Sequence, residues 1–155
     1  MELARNLKIE SVSRLQPTKP LTLDRQSPVS AAVGMMRENR VGCLLITDAK
    51  KLAGVFTERD LLRRVIAAGQ PLDTQIGNVM TTGPVTVTAQ EPIRNAIQKM
   101  ETGGYRHLPV VDANGRPVGV LSVKRIVHYL VEHFPRTIYT LPPDPKAFPQ
   151  EAEGA

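Results

Sequence analysis

Hydrophobic positions along the chain follow two spacings that alternate, and each spacing predicts a type of element. Within residues 29–36 the apolar side chains recur every three or four positions, which is typical of a helix that buries one face. Residues 43–47 form a short, largely apolar run, which favours a buried strand. A polar turn at 48–51 and a second apolar stretch at 52–56 predict a partner strand. Helical spacing then returns in residues 61–66.

The same order of elements occurs a second time, so the chain contains an internal repeat. At an offset of 64 residues Thr18 matches Thr82, and after one inserted residue Gly54 matches Gly119. Each copy predicts a strand, a helix, two strands and a second helix. A unit of about 55 residues buries too little surface to fold comfortably alone. The sequence therefore predicts a mixed α/β (α+β) fold in which two pseudo-symmetric β-α-β-β-α repeats pack sheet to sheet.

Four segments follow from this repeat. Residues 14–70 and 71–134 are the predicted repeats, residues 1–13 an N-terminal arm, and residues 135–155 a proline-rich tail. The arm has weak amphipathic character, so it is either a short helix or an extended arm. Consecutive prolines in the tail cannot continue a helix. Its apolar residues either pack on the module or on a second subunit, or anchor the tail by one or two contacts.

Composition and charge narrow the class of protein. Apolar residues make up 41% and charged residues 23%, a globular mixture, and no apolar run reaches the roughly 20 residues of a membrane span. The charged start is unlike a secretory signal, so we expect a soluble, cytoplasmic protein with no membrane partner. A net charge of +5 favours anionic partners. Nucleic acid is a weak candidate, since the basic residues are scattered and aromatic residues are only 4%.

Known catalytic patterns are absent from these 155 residues: there is no nucleophile elbow, phosphate-binding loop or dinucleotide fingerprint. We therefore expect a protein that is not an enzyme and has no cofactor. Cys43 is the single cysteine, which excludes an intrachain disulfide and favours a small core residue. His128 and His133 lie in the last predicted helix, where histidines are ordinary, so no metal site is expected.

Residues 54–60 (GVFTERD) place groups that suit a nucleotide at the start of a predicted helix. Thr57 is a suitable N-cap, and the unpaired N–H groups of a helix start favour an anion such as phosphate. Asp60 lies one turn later, where its carboxylate can accept hydrogen bonds from both hydroxyls of a ribose. Gly54 has no side chain, so a ring could approach the strand closely. Without any ligand, Thr57 and Asp60 would still stabilise the helix start.

Residues 54–60 resemble the G-h-x-[ST]-x-x-D signature of cystathionine-β-synthase (CBS) domains, in which h is an apolar residue. Residues 119–125 (GVLSVKR) resemble the same signature without its final Asp, and residues 104–112 (GYRHLPVVD) resemble the family's second strand. The resemblance covers about residues 14–133 and indicates a tandem pair, or Bateman-type module. It implies a regulatory module that binds AMP, ADP or ATP, or else an NAD-type molecule or S-adenosylmethionine. It also implies a homodimer and a protein effector of unknown identity.

The resemblance implies two ligand clefts, one for each signature. In the first, Asp60 would hold the ribose while Arg106 and His107 would meet the phosphates. The implied first cleft contains Val55, Thr57, Asp60, Thr82, Pro84, Val85, Tyr105, Arg106 and His107. The implied second, weaker cleft contains Thr18, Pro20, Val41, Gly42, Cys43, Val120, Ser122 and Arg125.

Arg125 stands where the signature has its Asp, and a guanidinium group cannot accept hydrogen bonds from ribose hydroxyls. We therefore expect the second cleft to be empty, weak or adapted to a more anionic ligand. This departure leaves an alternative open, namely a module that has lost ligand binding and acts as a dimerising scaffold. Either module would act through a partner or through dimer geometry, and a ligand changes that geometry only if it prefers one state.

Overall fold

The structure is a computed structural model that describes residues 2–135. Apart from Pro135, the predicted proline-rich tail therefore lies outside the described residues. The predicted arm contains a short helix, α1 (Glu2–Ile9), which is one of the two expected alternatives. A 3-10 turn at Val12–Leu15 follows it.

The first repeat has the predicted order of elements. It consists of β1 (Thr22–Asp24), α2 (Val29–Asn39), β2 (Cys43–Asp48), β3 (Lys51–Thr57) and a final helix. This helix begins as α3 (Glu58–Asp60) and continues with π-type hydrogen bonding over Leu61–Ile66. The mixed α/β class predicted from the apolar spacing is confirmed.

The second repeat follows the same plan with one reduction. Its elements are α4 (Ile93–Gly103), β5 (His107–Val111), β6 (Pro117–Ser122) and α5 (Val123–His133). Its first strand is reduced to a single parallel bridge between Val87 and Val110, where the first repeat has the parallel pairing of β1 with β2. Within residues 2–135, no helix has both the length and the apolar character needed to cross a bilayer.

Residues 12–21 and 76–86 precede the first strand of each repeat and form two linkers, each of which joins the sheet of the other repeat. One sheet has the order β1-β2-β3-β4, and β4 (Thr81–Thr82) comes from the linker between the repeats. It runs antiparallel to β3, with Thr82 opposite Gly54. Correspondingly, Thr18 precedes the first repeat and forms an antiparallel bridge with Val120 of β6. β3, in which the first signature begins, thus pairs with the linker before the second repeat. β6, in which the second signature begins, pairs with the linker before the first repeat.

Each repeat has its own hydrophobic core, and each core is completed by the linker that precedes the other repeat. Val12 and Leu15 are 0% and 3% exposed and lie in the core of the second repeat. Ile76 and Val79 lie in the core of the first repeat, although they follow its last helix. Full burial of one Val or Leu side chain contributes about 1.5–3 kcal/mol to the free energy of folding. The linkers therefore join the two repeats energetically as well as covalently.

Candidate functional site

The helix that follows β3 begins with a capping box. Thr57 has an extended backbone and is the N-cap, as the sequence predicts. The Asp60 backbone N–H donates to Thr57 Oγ1 at 3.3 Å, and the Thr57 backbone N–H donates to Asp60 Oδ2 at 3.0 Å. The Thr57 hydroxyl also donates to Asp60 Oδ2 at 3.1 Å. These reciprocal bonds satisfy two N–H groups of the helix start and fix the Asp60 side chain.

Asp60 is only 6% exposed, and its second oxygen is held by the neighbouring linker and helix. The Thr81 hydroxyl donates to Asp60 Oδ1 at 3.0 Å, and Arg64 Nε lies 3.4 Å from the same oxygen. Arg64 Nη1 also donates to the Met80 carbonyl oxygen at 2.7 Å. A buried carboxylate is tolerated when it is paired and hydrogen-bonded in this way. Asp60 therefore connects the first signature to residues 80–81 of the linker.

Sequence reasoning missed Arg64 and Thr81. A signal for Arg64 was present, since it lies four residues after Asp60 and such pairs face one another on a helix. Thr81 gave no comparable signal, because it is 21 residues from Asp60 and meets it only through the pairing of β4 with β3. Both carboxylate oxygens of Asp60 are thus already engaged within the protein. A ligand that uses them must replace Thr81, Arg64 or both.

Gly54 is required for a close approach, but by the protein's own linker. A Cβ atom at this position would lie 2.6 Å from both Met80 Sδ and the Thr81 carbonyl oxygen. From the sequence, a ligand ring is expected beside this glycine. In the structure β4 takes that space, because only a residue without a side chain allows the linker to pair with β3 here.

Gly42 and Cys43 lie beside the first signature, whereas the resemblance implies them for the second cleft. Cys43 is opposite Thr57 in the β2–β3 ladder, and the Glu58 backbone N–H donates to the Gly42 carbonyl at 3.1 Å. Burial, and secondly the nearby Asp60 carboxylate, raises the pKa of the Cys43 thiol to about 11. The thiol is therefore neutral at pH 7, which does not favour a nucleophile. The side chain is half-buried and belongs to neither hydrophobic core, so the predicted core position is not where the structure places it.

Arg106 and His107 occupy the equivalent place beside the second signature. His107 is opposite Ser122 in the β5–β6 ladder, and the Val123 backbone N–H donates to the Arg106 carbonyl at 3.0 Å. Among residues 2–135, neither side chain forms a hydrogen bond or ion pair with Thr57 or Asp60. Burial, and secondly Arg106, lowers the pKa of His107. A phosphate contact at His107 would thus start from a neutral imidazole at pH 7.

The remaining residues of the implied first cleft fall into two groups. Val55 and Thr82 lie in the β3–β4 pairing next to Thr57. Tyr105 and Val85 instead line a separate shallow groove of about 370 Å³ with residues of α4. Val55 and Thr82 thus lie near Asp60, whereas Tyr105 and Val85 lie beside α4. Pro84 connects them in sequence.

In the implied second cleft, the linker and the signature are again in contact. Thr18 and Val120 exchange two backbone hydrogen bonds of 3.0 and 2.9 Å. Ser122 is the N-cap of α5, since its hydroxyl accepts from the Arg125 backbone N–H at 3.2 Å. Of the other residues assigned to this cleft, Pro20 is half-buried and Val41 packs against the first core. Arg125 has no capping role comparable to that of Asp60.

The family model of the CBS domain matches the chain twice, at residues 12–67 and 76–132. The chain belongs to the CBS-domain family. It forms a CBS pair, and both matched segments include one of the two signatures described above. The CBS pair has the Asp of the signature in the first domain and Arg125 in its place in the second.

Similar proteins share this pair. CBS domain-containing protein CBSCBSPB2 of Arabidopsis thaliana is 37% identical over 120 residues, which cover 76% of this chain and 22% of the plant protein. The chain thus spans about a fifth to a quarter of the plant relatives that it matches. The CBS-domain containing protein ATU1752 from Agrobacterium tumefaciens is 27% identical, with a TM-score of 0.67 and coverage of 77% of this chain and 98% of that chain.

A third similar protein has been solved with a ligand. CBS domain protein PAE2072 from Pyrobaculum aerophilum, complexed with AMP, is 30% identical to this CBS pair. Its TM-score is 0.69, and the match covers 79% of this chain and 99% of that chain.

Proposed function

We propose that this CBS pair binds an adenosine-containing small molecule beside its first signature and regulates a partner protein according to occupancy. The observation that carries the proposal is the buried Asp60 carboxylate, fixed by Thr57 at the start of a helix and bordered by the linker. The AMP complex of the Pyrobaculum aerophilum relative supports an adenosine ligand. AMP is therefore the first ligand to test, followed by ADP, ATP, an NAD-type molecule and S-adenosylmethionine.

Binding would proceed by exchange of hydrogen bonds at Asp60. The ribose hydroxyls replace the Thr81 hydroxyl and Arg64 as donors to the carboxylate, so that the buried Asp60 oxygens keep hydrogen-bond partners. Arg64 can leave readily because its side chain is 50% exposed. Its departure also breaks the bond to the Met80 carbonyl, which frees residues 80–81 of the linker. Ligand occupancy thereby reaches the segment that joins the two domains.

Thermal melting of the full chain tests this proposal. AMP at 100 times its dissociation constant should stabilise the fold by about 2.7 kcal/mol, a rise of several degrees in Tm. The rise should disappear in Asp60→Asn and persist in Asp73→Asn, which changes an exposed carboxylate elsewhere on the surface. An equal rise in wild type and Asp60→Asn would contradict the ribose assignment. No rise with any ligand of the panel would contradict nucleotide binding itself.

A second candidate function is a dimerising scaffold, and a surface feature favours it. Leu62 and Ile66 are 60% and 62% exposed on the helix of the first domain, and Val123 and Val127 are 41% and 51% exposed on α5. Leu62 and Val127 are equivalent positions in the two repeats. Exposed apolar residues on both helices, with one pair at equivalent positions, suit a second copy of the chain, because a two-fold interface uses the same surface on both subunits.

Sedimentation of the full chain distinguishes this scaffold from a monomer. The wild type should sediment as a dimer, whereas Leu62→Asp combined with Val127→Asp should shift the protein to monomer. Val118→Asp, at another exposed apolar residue, is the control and should leave the dimer intact. A monomeric wild type at micromolar concentration would remove the scaffold hypothesis.

A further inference from the structure

Arg125 and Tyr129 occupy the positions in α5 that Asp60 and Arg64 occupy in the first domain. In the first domain these two side chains form an ion pair at 3.4 Å. In the second domain the charge at the first position is reversed, and the second position carries no charge. Within residues 2–135 the Arg125 guanidinium makes no ion pair and no hydrogen bond; only its backbone N–H is bonded, to Ser122.

A groove of about 440 Å³ lies where Arg125 lacks this partner. One wall is the 3-10 turn that carries Arg14, and the other is the face of α5 that carries Arg125, His128 and His133. The stacked rings of Tyr129 and His133, with centroids 4.3 Å apart, line the same wall. The volume is sufficient for a small organic ligand and larger than one water molecule requires. No residue of the groove other than Arg125 belongs to a signature.

Among residues 2–135, Arg125 is the arginine of the groove that has no carboxylate partner. Glu10 pairs with Arg14 at 3.3 Å, and Glu132 pairs with His128 at 3.7 Å when that imidazole is protonated. His133 uses Nδ1 in a hydrogen bond of 3.1 Å to the Tyr129 carbonyl, so this nitrogen donates. Glu132 also lines the groove, and within the described residues neither carboxylate forms an ion pair with Arg125.

We propose that this groove binds a small phosphoryl-bearing anion, with Arg125 as its principal contact. A guanidinium group presents a fork of N–H donors that matches two oxygens of a phosphoryl group. Arg14 faces it across the groove as a second guanidinium group, which Glu10 pairs with. The site is separate from Asp60 and does not depend on adenosine binding there, so each can fail without the other.

Calorimetric titration of the full chain with inorganic pyrophosphate tests the proposal, with chloride adjusted to hold ionic strength constant. Saturable binding is expected in the wild type and a loss of about tenfold or more in affinity in Arg125→Gln. Arg125→Lys, which keeps the charge without the fork, should fall between them. The matched control Arg37→Gln, an exposed arginine of α2, and Asp60→Asn should both bind as the wild type does.

Histidine ring signals in NMR spectra give a second readout, since the chain has three histidines. Pyrophosphate should shift the signals of His128 and His133 and leave that of His107 in place. Equal weakening in Arg125→Gln and Arg37→Gln, or shifts confined to His107, would overturn the site. Acetate binding as tightly as pyrophosphate would overturn the phosphoryl assignment, and the absence of saturable binding would overturn the proposal.

Discussion

The two signatures differ at one charged position, and the helix that each begins is stabilised differently as a result. At the first, Asp60 is buried and accepts hydrogen bonds from its own N-cap and from the linker residue Thr81. At the second, the Arg125 side chain has no such partners within residues 2–135 and lines an open groove. A ligand must therefore compete for the first site, whereas it can join the second without displacing an internal partner. The same strand-to-helix geometry thus holds a carboxylate with internal donors in the first domain and, among the described residues, a guanidinium group without an internal acceptor in the second.

The largest expected effect concerns the linkers that complete the two cores. Leu15→Ala should destabilise the protein by about 2–5 kcal/mol, because it opens a cavity in the second core. Val79→Ala, at the equivalent position in the first core, should also be destabilising. Urea denaturation gives both values, with Ile9→Ala at a residue that is 66% exposed as the control. A Leu15→Ala protein as stable as the control would show that residues 12–15 do not close the second core.

A smaller effect is the difference in stability expected between variants of Asp60 and Arg125, the equivalent positions of the two signatures. Asp60→Ala should reduce the free energy of unfolding by about 1–3 kcal/mol, since Thr81 and the N-cap lose their acceptor. Arg125→Ala should change it by no more than about 0.5 kcal/mol, because this side chain forms no hydrogen bond or ion pair with the part of the protein that the structure describes. Chemical denaturation of the two variants side by side measures the difference. Equal losses of stability in the two variants would contradict the difference between the Asp60 and Arg125 environments.

Thr81→Val tests whether the Thr81 hydroxyl competes with a ligand for hydrogen bonding to Asp60. The variant keeps the shape of the side chain and should cost about 1 kcal/mol of stability, the contribution of one hydrogen bond. Its affinity for AMP should equal or exceed that of the wild type, because a competing donor has been removed. Calorimetry measures that affinity, with Thr74→Val as a control on a half-buried threonine outside the site. Weaker AMP binding in Thr81→Val would mean that its hydroxyl contacts the ligand instead.

The smallest effect is the reactivity of Cys43. With a pKa of about 11, its thiolate fraction at pH 7 is about one in ten thousand, so thiol reagents should label it very slowly in the folded protein. Because the folded pKa is raised, the neutral thiol stabilises the fold at neutral pH, and this contribution is lost as pH rises from about 9 to about 11. Asp60→Asn should lower the pKa, since the carboxylate is its second cause. Labelling rates followed against pH by mass spectrometry measure both pKa values, and rapid labelling at pH 7 would contradict the burial.

The repeat and its elements could be predicted from sequence because they depend on local periodicity. The cap at Thr57 was equally accessible, since its partner Asp60 is three residues away. The surroundings of the Asp60 carboxylate could not be predicted, because Thr81 reaches it through a two-residue strand that no apolar pattern marks. Gly54 illustrates the same limit: its missing side chain signals a close approach, but only the fold shows that β4 is what approaches.

The exchanged linkers also determine the order in which the molecule can assemble during synthesis. The first core contains residues up to Met80, so it can close soon after that residue has been made. The second core needs Val12 and Leu15, which are made early, together with Tyr129, which is made late. Contacts this distant in sequence form slowly, so residues 12–15 expose their apolar side chains until the second repeat is complete. During that interval the nascent chain contains a folded first domain, preceded by an exposed apolar segment at residues 12–15. We expect a chaperone to bind this segment.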